Sequence, residues 1–372
     1  MLFTDVAAPA ALKSHLIEMA GQKRVAHALL FLGGEDGAQL PLAFAFAQYM
    51  FCEKPSLQDS CGTCPSCLKI SKLAHPDLHL VFPIALSKDV RMSNHLLEEF
   101  REAFLNFPYL GINDWFNHID AENKQPVIGT EESNEIIRKL SFTSYEGRGK
   151  IMIIWMPEKM NASAANKLLK ILEEPPDETY FFLVSGAADQ LLATILSRVQ
   201  LIQVTSPTSS DTAKVIAKNF QMPQQQAEQI AILAQGNIKQ AYLLADENIS
   251  VNLYLELFQS FMRACLRFDA LKISSWIDET ASLGREKQKQ FLLYTLQTFR
   301  NCLLLKYAPD AMLATAEEKE FLQKFHPYIN LQNHEALTEE FNKAFYHIER
   351  NASAKIMFMD LALKTNELLS KK

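Results

Sequence analysis

Four cysteines, Cys52, Cys61, Cys64 and Cys67, stand in a C-x8-C-x2-C-x2-C spacing. Two-residue gaps let successive thiolates converge on one ion, and the longer gap lets the first sulfur return from the end of a preceding helix to complete a tetrahedron. The set predicts a metal site, with Zn2+ the expected ion. Four sulfurs leave no open position for water or substrate, so a structural role is expected and a free-standing zinc hydrolase is disfavoured. Cys265 and Cys302 stand alone in apolar helical stretches and read as small buried hydrophobes.

A second candidate site follows the first apolar run. A phosphate-binding loop would read G-x-x-x-x-G-K-[ST], its lysine reaching the β- and γ-phosphates and its hydroxyl holding magnesium. The run GGEDGAQLP, from Gly33 to Pro41, has the right place and the wrong residues: Ala38 at the second glycine, Gln39 at the lysine and Leu40 at the hydroxyl. The degenerate loop, with Gly33, Gly37, Gln39 and Leu40, still opens a helix whose N–H groups attract anions, but ATP hydrolysis is not expected. The run KIMIIW points the same way. Where a strand of this kind would end in two acids, one for magnesium and one for water, Trp155 and Met156 stand, and Glu158 is a remote substitute two residues on. Ser197, Arg198 and Val199 lie just before the last apolar run, and by spacing alone Arg198 is a solvated charge at an element boundary.

These residues need a scaffold. Short apolar runs at 26–33, 78–82, 150–155, 179–185 and 199–204 alternate with helical stretches, which predicts a parallel sheet covered on both faces. A helix over 161–174 is stopped by Pro175 and Pro176. The polar and aromatic stretch from Ser87 to Gln125 has no strand pattern and reads as a long excursion between strands. At SPTSSD, residues 206–211, a linker precedes a helix capped at Ser209, Ser210 or Asp211. Residues 211–245 then form a small helical block. Beyond Ile249 the chain is long-helical, with Leu292, Leu296, Phe299 and Leu303 on one apolar stripe.

The 372 residues suggest two or three domains, and 48% hydrophobic with 22% charged residues is the profile of a folded protein. A net charge of -6 argues against a chain that coats nucleic acid unaided. The N-terminus lacks the pattern of a signal peptide and no run reaches a membrane span, so a cytoplasmic protein with no membrane partner is expected. There, thiols stay reduced, which again favours metal over disulfides.

Several runs together resemble the delta-prime family of bacterial DNA polymerase III clamp-loader subunits, over nearly the whole chain. HALLFLGGEDGAQLPLA, from His27 to Ala43, is similar to the family's strand and phosphate-loop region, and the four cysteines to its zinc module. ANKLLKILEEPP, from Ala165 to Pro176, resembles a signature shared with the gamma/tau ATPases, and TILSRVQ, from Thr194 to Gln200, their Ser-Arg-Cys motif, with Val199 in place of the usual cysteine. RNASA, from Arg350 to Ala354, is similar to the family's segment before the last helix.

The resemblance implies an AAA+ α/β domain over 1–205 with a zinc module at 52–67, a helical lid over 206–246 and a helical collar over 247–372. It implies a subunit that does not hydrolyse ATP and lends Arg198, with Ser197, as an arginine finger to a neighbouring gamma/tau-type ATPase. Further implied partners are a delta-type subunit and, through the complex, the sliding clamp and primer-template DNA. Lys239, in GNIKQA, stands where related ATPases place a sensor arginine. The alternative is a gamma/tau-type ATPase with an atypical nucleotide site, against which Gln39, Leu40, Trp155 and Met156 count.

Overall fold

The computed structural model describes residues 1–34, 37–234, 236–246, 251–309, 312, 314, 316–350 and 352–370. Glu35 and Asp36 of the degenerate loop, and Asn351 of the RNASA run, lie outside the described residues. The chain forms two compact units, Met1–Ala245 and Asp246–Lys372. The stretches expected to form the sheet domain and the lid both fall in the first unit, apart from one residue.

Apolar, β-branched and aromatic runs form the strands of the first unit. After helix α1 (Ala10–Gly21) and strand β1 (Ala28–Leu32) come α2 (Gln39–Phe51), α3 (Pro65–Ser71) and β2 (Leu78–Val81). The excursion follows, with α4 (Leu97–Asn106) and α5 (Ile112–His118), then α6 (Thr130–Ser141) and β3 (Lys150–Trp155). The sheet is completed by α7 (Ala162–Glu173), β4 (Thr179–Ser185), the single turn α8 (Ala193–Leu196) and β5 (Gln200–Gln203). The strand order is β2-β3-β4-β1-β5, and every pair is parallel, with Leu30 opposite Leu183 and Leu201 and Ile153 opposite Phe182. The expected parallel α/β sheet domain is therefore present, and each strand falls within its predicted run.

Alternate residues of these strands face opposite layers. On one face Leu30, Met152, Ile154, Phe181 and Leu183 join Ile136 and Leu140 of α6 and Leu168 and Leu172 of α7 in one buried cluster. On the other, Phe182 packs against Phe31 at 5.5 Å and against Phe46 of α2 at 5.4 Å between ring centroids. The helix over 162–173 starts on Asn161, whose side chain accepts from the Ala164 N–H, and ends before the two prolines, as predicted.

A helical block of α9 (Ser209–Asn219), α10 (Gln224–Ala234) and α11 (Ile238–Asp246) closes the unit. Its first cap differs from expectation. Thr208, held extended at ψ 159°, accepts from the Asp211 N–H, so α9 already includes Ser209, Ser210 and Asp211.

The described residues of the second unit form the helices α12 (Val251–Arg267), α13 (Ala270–Ser282), α14 (Arg285–Tyr307), α15 (Ala316–Phe325), α16 (Leu331–Glu349) and α17 (Ala354–Ser370). The predicted stripe lies on α14, where Leu292 and Phe299 are fully buried and Leu296 and Leu303 partly so. More than a stripe is covered: Gln288, Thr295, Thr298 and Asn301 of α14 are buried too. Thr295 and Thr298 satisfy their hydroxyls on carbonyls one turn back. Cys265 and Cys302 are buried and free, and burial pushes both thiols up to about 12, so the reading as small hydrophobes holds. Among the described residues no helix is long and apolar enough to cross a membrane.

Phe182→Ala would empty the space between two other rings at a fully buried position of β4. It is expected to destabilise the first unit by about 3–5 kcal/mol, read as a lowered denaturant midpoint with the unfolding slope unchanged.

Candidate functional site

The four cysteines converge. Cys52 ends α2 in an extended conformation, and Gly62, at φ +72°, turns the chain back between Cys61 and Cys64. Cys64 caps α3, with Pro65 at its first position, and so puts Cys67 in the helix's first turn. All four sulfurs lie within 4.8 Å of one another, and those of Cys61 and Cys67 are 3.9 Å apart. Zinc–thiolate bonds of about 2.3 Å place tetrahedral sulfurs about 3.8 Å apart, so the set fits such an ion.

Backbone donors are already aimed at the sulfurs, from Cys61 N to Cys52 Sγ at 3.2 Å and from Cys64 N to Cys61 Sγ at 3.3 Å. The N–H groups of Thr63 and Cys64 pull the Cys61 thiol down to about 6, while burial raises those of Cys52 and Cys67. Bound there, a metal would take all four as thiolates and supply cross-linking rather than reaction chemistry.

The cluster is fastened to the sheet by the loop before β3. Glu146 accepts from Lys69, from Ser66 Oγ at 2.9 Å and, through the ring nitrogen, interacts with His75 at 3.0 Å. The Lys69 ammonium, with Ser66 and His75 behind it, holds the Glu146 carboxyl down to about 2. Arg148 donates to the Cys52 carbonyl at 3.0 Å, and the buried Asp77 accepts from the N–H groups of Tyr145 and Glu146 at 2.6 and 2.8 Å.

A cavity of about 170 Å3 opens at the carboxyl ends of β1, β3 and β4. This is the switch point of an open parallel sheet, where the connections leave in opposite directions and ligands characteristically bind. Gln39 and Leu40, at the start of α2, line it together with Trp155, Met156, Glu158, Ser185 and Lys239. The loop residues expected to resemble a phosphate cradle therefore meet the end of β3 where the missing acid pair would stand. Glu158 lies in the wall on a short turn and accepts from Ser185 Oγ at 2.9 Å, and its burial raises its pKa. Lys239, second residue of α11, forms an ion pair of 2.7 Å with Asp114.

Arg198 is not part of this cavity. It follows α8 and donates to the Thr194 carbonyl at 2.8 Å, to Ser197 Oγ at 3.1 Å and to Glu173 at 2.5 Å. Close to it in sequence, Leu192, Leu196 and Leu201 are exposed, the last on edge strand β5. Residues 8–208, more than half of the chain, match the family described as DNA polymerase III, delta subunit. The chain belongs to that family.

Curated relatives carry the delta-prime name. DNA polymerase III subunit delta' of Escherichia coli K12 is 26% identical over 198 residues, which are 53% of this chain and 48% of that protein. The Bacillus subtilis subunit delta' is 31% identical over 179 residues, 48% of this chain and 42% of that protein. The B. subtilis subunit tau is 25% identical over 253 residues, 67% of this chain and 38% of that protein. The chain spans about half the length of the delta-prime relatives it matches.

For this delta-prime family member, motif reading found the cysteines, the degenerate loop and Lys239, but missed Leu110–Asn113, which also line the cavity, and the adjoining Asp114, which pairs with Lys239. No local pattern marks them, because Asp114 and Lys239 are 125 residues apart. Glu146 was missed for the same reason.

The geometry predicts a stepwise thiol titration. With metal bound, the native protein should expose no thiol to a slow reagent; chelation should release the four of the cluster, and denaturant all six.

Proposed function

We propose that the chain is a delta-prime-type subunit of the bacterial clamp loader that does not hydrolyse ATP itself and lends Arg198, positioned by Ser197, to the nucleotide site of a neighbouring gamma/tau-type ATPase. One observation carries the reading: the cavity at the ends of β1, β3 and β4 has the position of a nucleotide site but offers Gln39, Leu40, Trp155 and Met156 where phosphoryl transfer needs an ammonium, a hydroxyl and two acids. In this reading the chemistry belongs to the neighbour, and a fixed guanidinium stabilises charge on the transferring group.

The chain around Arg198 supports a subunit contact, since Leu192, Leu196 and Leu201, close to it in sequence, are exposed. In the second unit, Ile356, Met359 and Leu363 of α17 are exposed at spacings of three and four, an apolar stripe suited to a helical collar with a gamma/tau-type or delta-type subunit. The sliding clamp and primer-template DNA would be engaged through the assembled loader during replication in the cytoplasm. The four cysteines are proposed to hold Zn2+ as a structural staple.

Glu158 favours the second reading, a gamma/tau-type ATPase with an atypical site, because it is an acid in the cavity wall. Magnesium-dependent ATP hydrolysis by the isolated chain, abolished by Glu158→Gln, would establish that reading.

The main reading is tested by reconstituting a loader with a gamma/tau-type ATPase and a delta-type subunit. Arg198→Ala is expected to leave assembly intact and to reduce DNA- and clamp-stimulated hydrolysis roughly tenfold or more. Unchanged hydrolysis in an intact complex would reduce Arg198 to a surface charge.

A further inference from the structure

The excursion over 87–125 has no part in the function just described, and Gln39 figures in it only as a missing lysine. Both meet at the cavity. We propose that the chain fills and closes its own nucleotide-type site: the Gln39 side chain occupies the hollow of the loop after β1, and Asp114 of the excursion takes the Lys239 ammonium of α11, leaving neither position open to a phosphate.

The loop glycines show where the Gln39 amide lies. A β-carbon added at Gly33 would fall 2.6 Å from Gln39 Oε1, and one added at Gly37 would fall 2.4 Å from it. The amide is thus against both glycines, in the space that their lack of side chains leaves free. It is 7% exposed, and its Nε2 donates to the Gly34 carbonyl at 2.7 Å. Among the described residues, Gln39 Oε1 is buried without a hydrogen-bond partner. A phosphate entering this hollow would have to displace a buried amide and approach its oxygen, whose partial charge has the wrong sign. The loop is therefore obstructed as well as short of a lysine.

The cation on the lid side is also engaged. Asp114 Oδ2 is 2.7 Å from Lys239 Nζ, and the same oxygen accepts from the Gly111 N–H at 2.6 Å, fixing the carboxylate at the start of α5. A carboxylate so held gives the lysine the anionic partner that a terminal phosphate would otherwise provide.

The excursion grips the helical block at further points. Tyr242 of α11 packs against Tyr109 at 5.0 Å and Phe107 at 5.7 Å, and against Phe220 at 5.3 Å. Tyr109 in turn accepts from the Ala7 N–H at 2.8 Å, and Lys218 of α9 pairs with Asp5 at 2.6 Å. Residues 107–114 thereby strap α11 to the sheet body through aromatic packing and an ion pair, with Leu110–Asn113 forming one wall of the cavity. The space beside Gln39, Trp155 and Lys239 is about 170 Å3, and a second hollow of about 230 Å3 lies against Gly34, Gly37, Ala38 and Ile238; each alone is below the roughly 300–1,000 Å3 of pockets that take small-molecule ligands.

The test is equilibrium binding of ATP to the full chain and to Gln39→Gly, Asp114→Asn and the double variant, each checked for retained metal and cooperative unfolding. Wild type is expected to show no saturable binding below about 1 mM, and the double variant to bind at least tenfold more tightly. A folded double variant with no gain, or saturable binding by wild type below about 1 mM, would overturn the proposal.

Hydrogen exchange of wild-type α11 gives an answer that no variant's folding can obscure. Its amides should be indifferent to ATP, and slowing by ATP would show that the lid still reads nucleotide. The proposal rests on reading the cavity as a nucleotide-type site but not on Arg198. ATP binding by wild type would remove it and leave the trans arginine standing, whereas unchanged hydrolysis with Arg198→Ala would do the reverse.

Discussion

β1 hydrogen-bonds β4 on one side and β5 on the other, and this placement organises the first unit. Because all five strands run the same way, their carboxyl ends open on one rim, and the chain leaves neighbouring strands there in opposite directions. The loop after β1, the turn after β3 and the end of β4 are brought together without any of them being close in sequence. The Gly33 N–H donates to the Ser185 carbonyl, and the Val204 N–H to the Leu32 carbonyl, extending the sheet's pairing into that rim. A cavity here is a consequence of topology. What the cavity can do depends on the side chains that line it, and at its centre this chain sets an amide, a leucine, a tryptophan and a methionine beside Glu158 and Lys239.

The cysteine module shows a different economy. It is a short segment between α2 and β2 with few large apolar residues of its own, and the sulfurs of Cys52, Cys64 and Cys67 are its buried centre. A chain this short gains little from hydrophobic burial, so a metal cross-link is the efficient way to give it one shape. Its attachment to the body is polar, running through Glu146 to Lys69, Ser66 and His75, with His75 stacked on Phe51 at 4.4 Å. Each buried polar group in that attachment has a partner, which keeps a polar joint from becoming a weak one.

Much of this was legible in the sequence, and the boundary of legibility has a physical cause. Strands were found because their apolar runs are short and bounded, and helix α7 because Asn161 and Pro175–Pro176 mark its ends locally. The cysteines were found because metal geometry imposes spacing. The cap of α9 was misplaced because Thr208, Ser209, Ser210 and Asp211 offer nearly equivalent side chains, and the choice among them is made by the backbone entering the helix. Asp114, Glu146 and the aromatic contacts of Tyr242 left no trace, since they join segments that only the folded chain brings together. The excursion looked featureless for the same reason: its order comes from the surfaces it touches.

Met156 carries a further implication. It stands at the end of β3 in the left-handed region, at φ 56° and ψ 59°, where a non-glycine residue costs about 1 kcal/mol or more. Its N–H donates to the Val184 carbonyl at 2.8 Å, so the sheet holds the backbone in place whatever the side chain. Aspartate and asparagine tolerate that region better than methionine does. The backbone at this position is thus more hospitable to an aspartate or asparagine than to the methionine it carries, and the turn after β3 is set by the sheet's pairing rather than by the side chain.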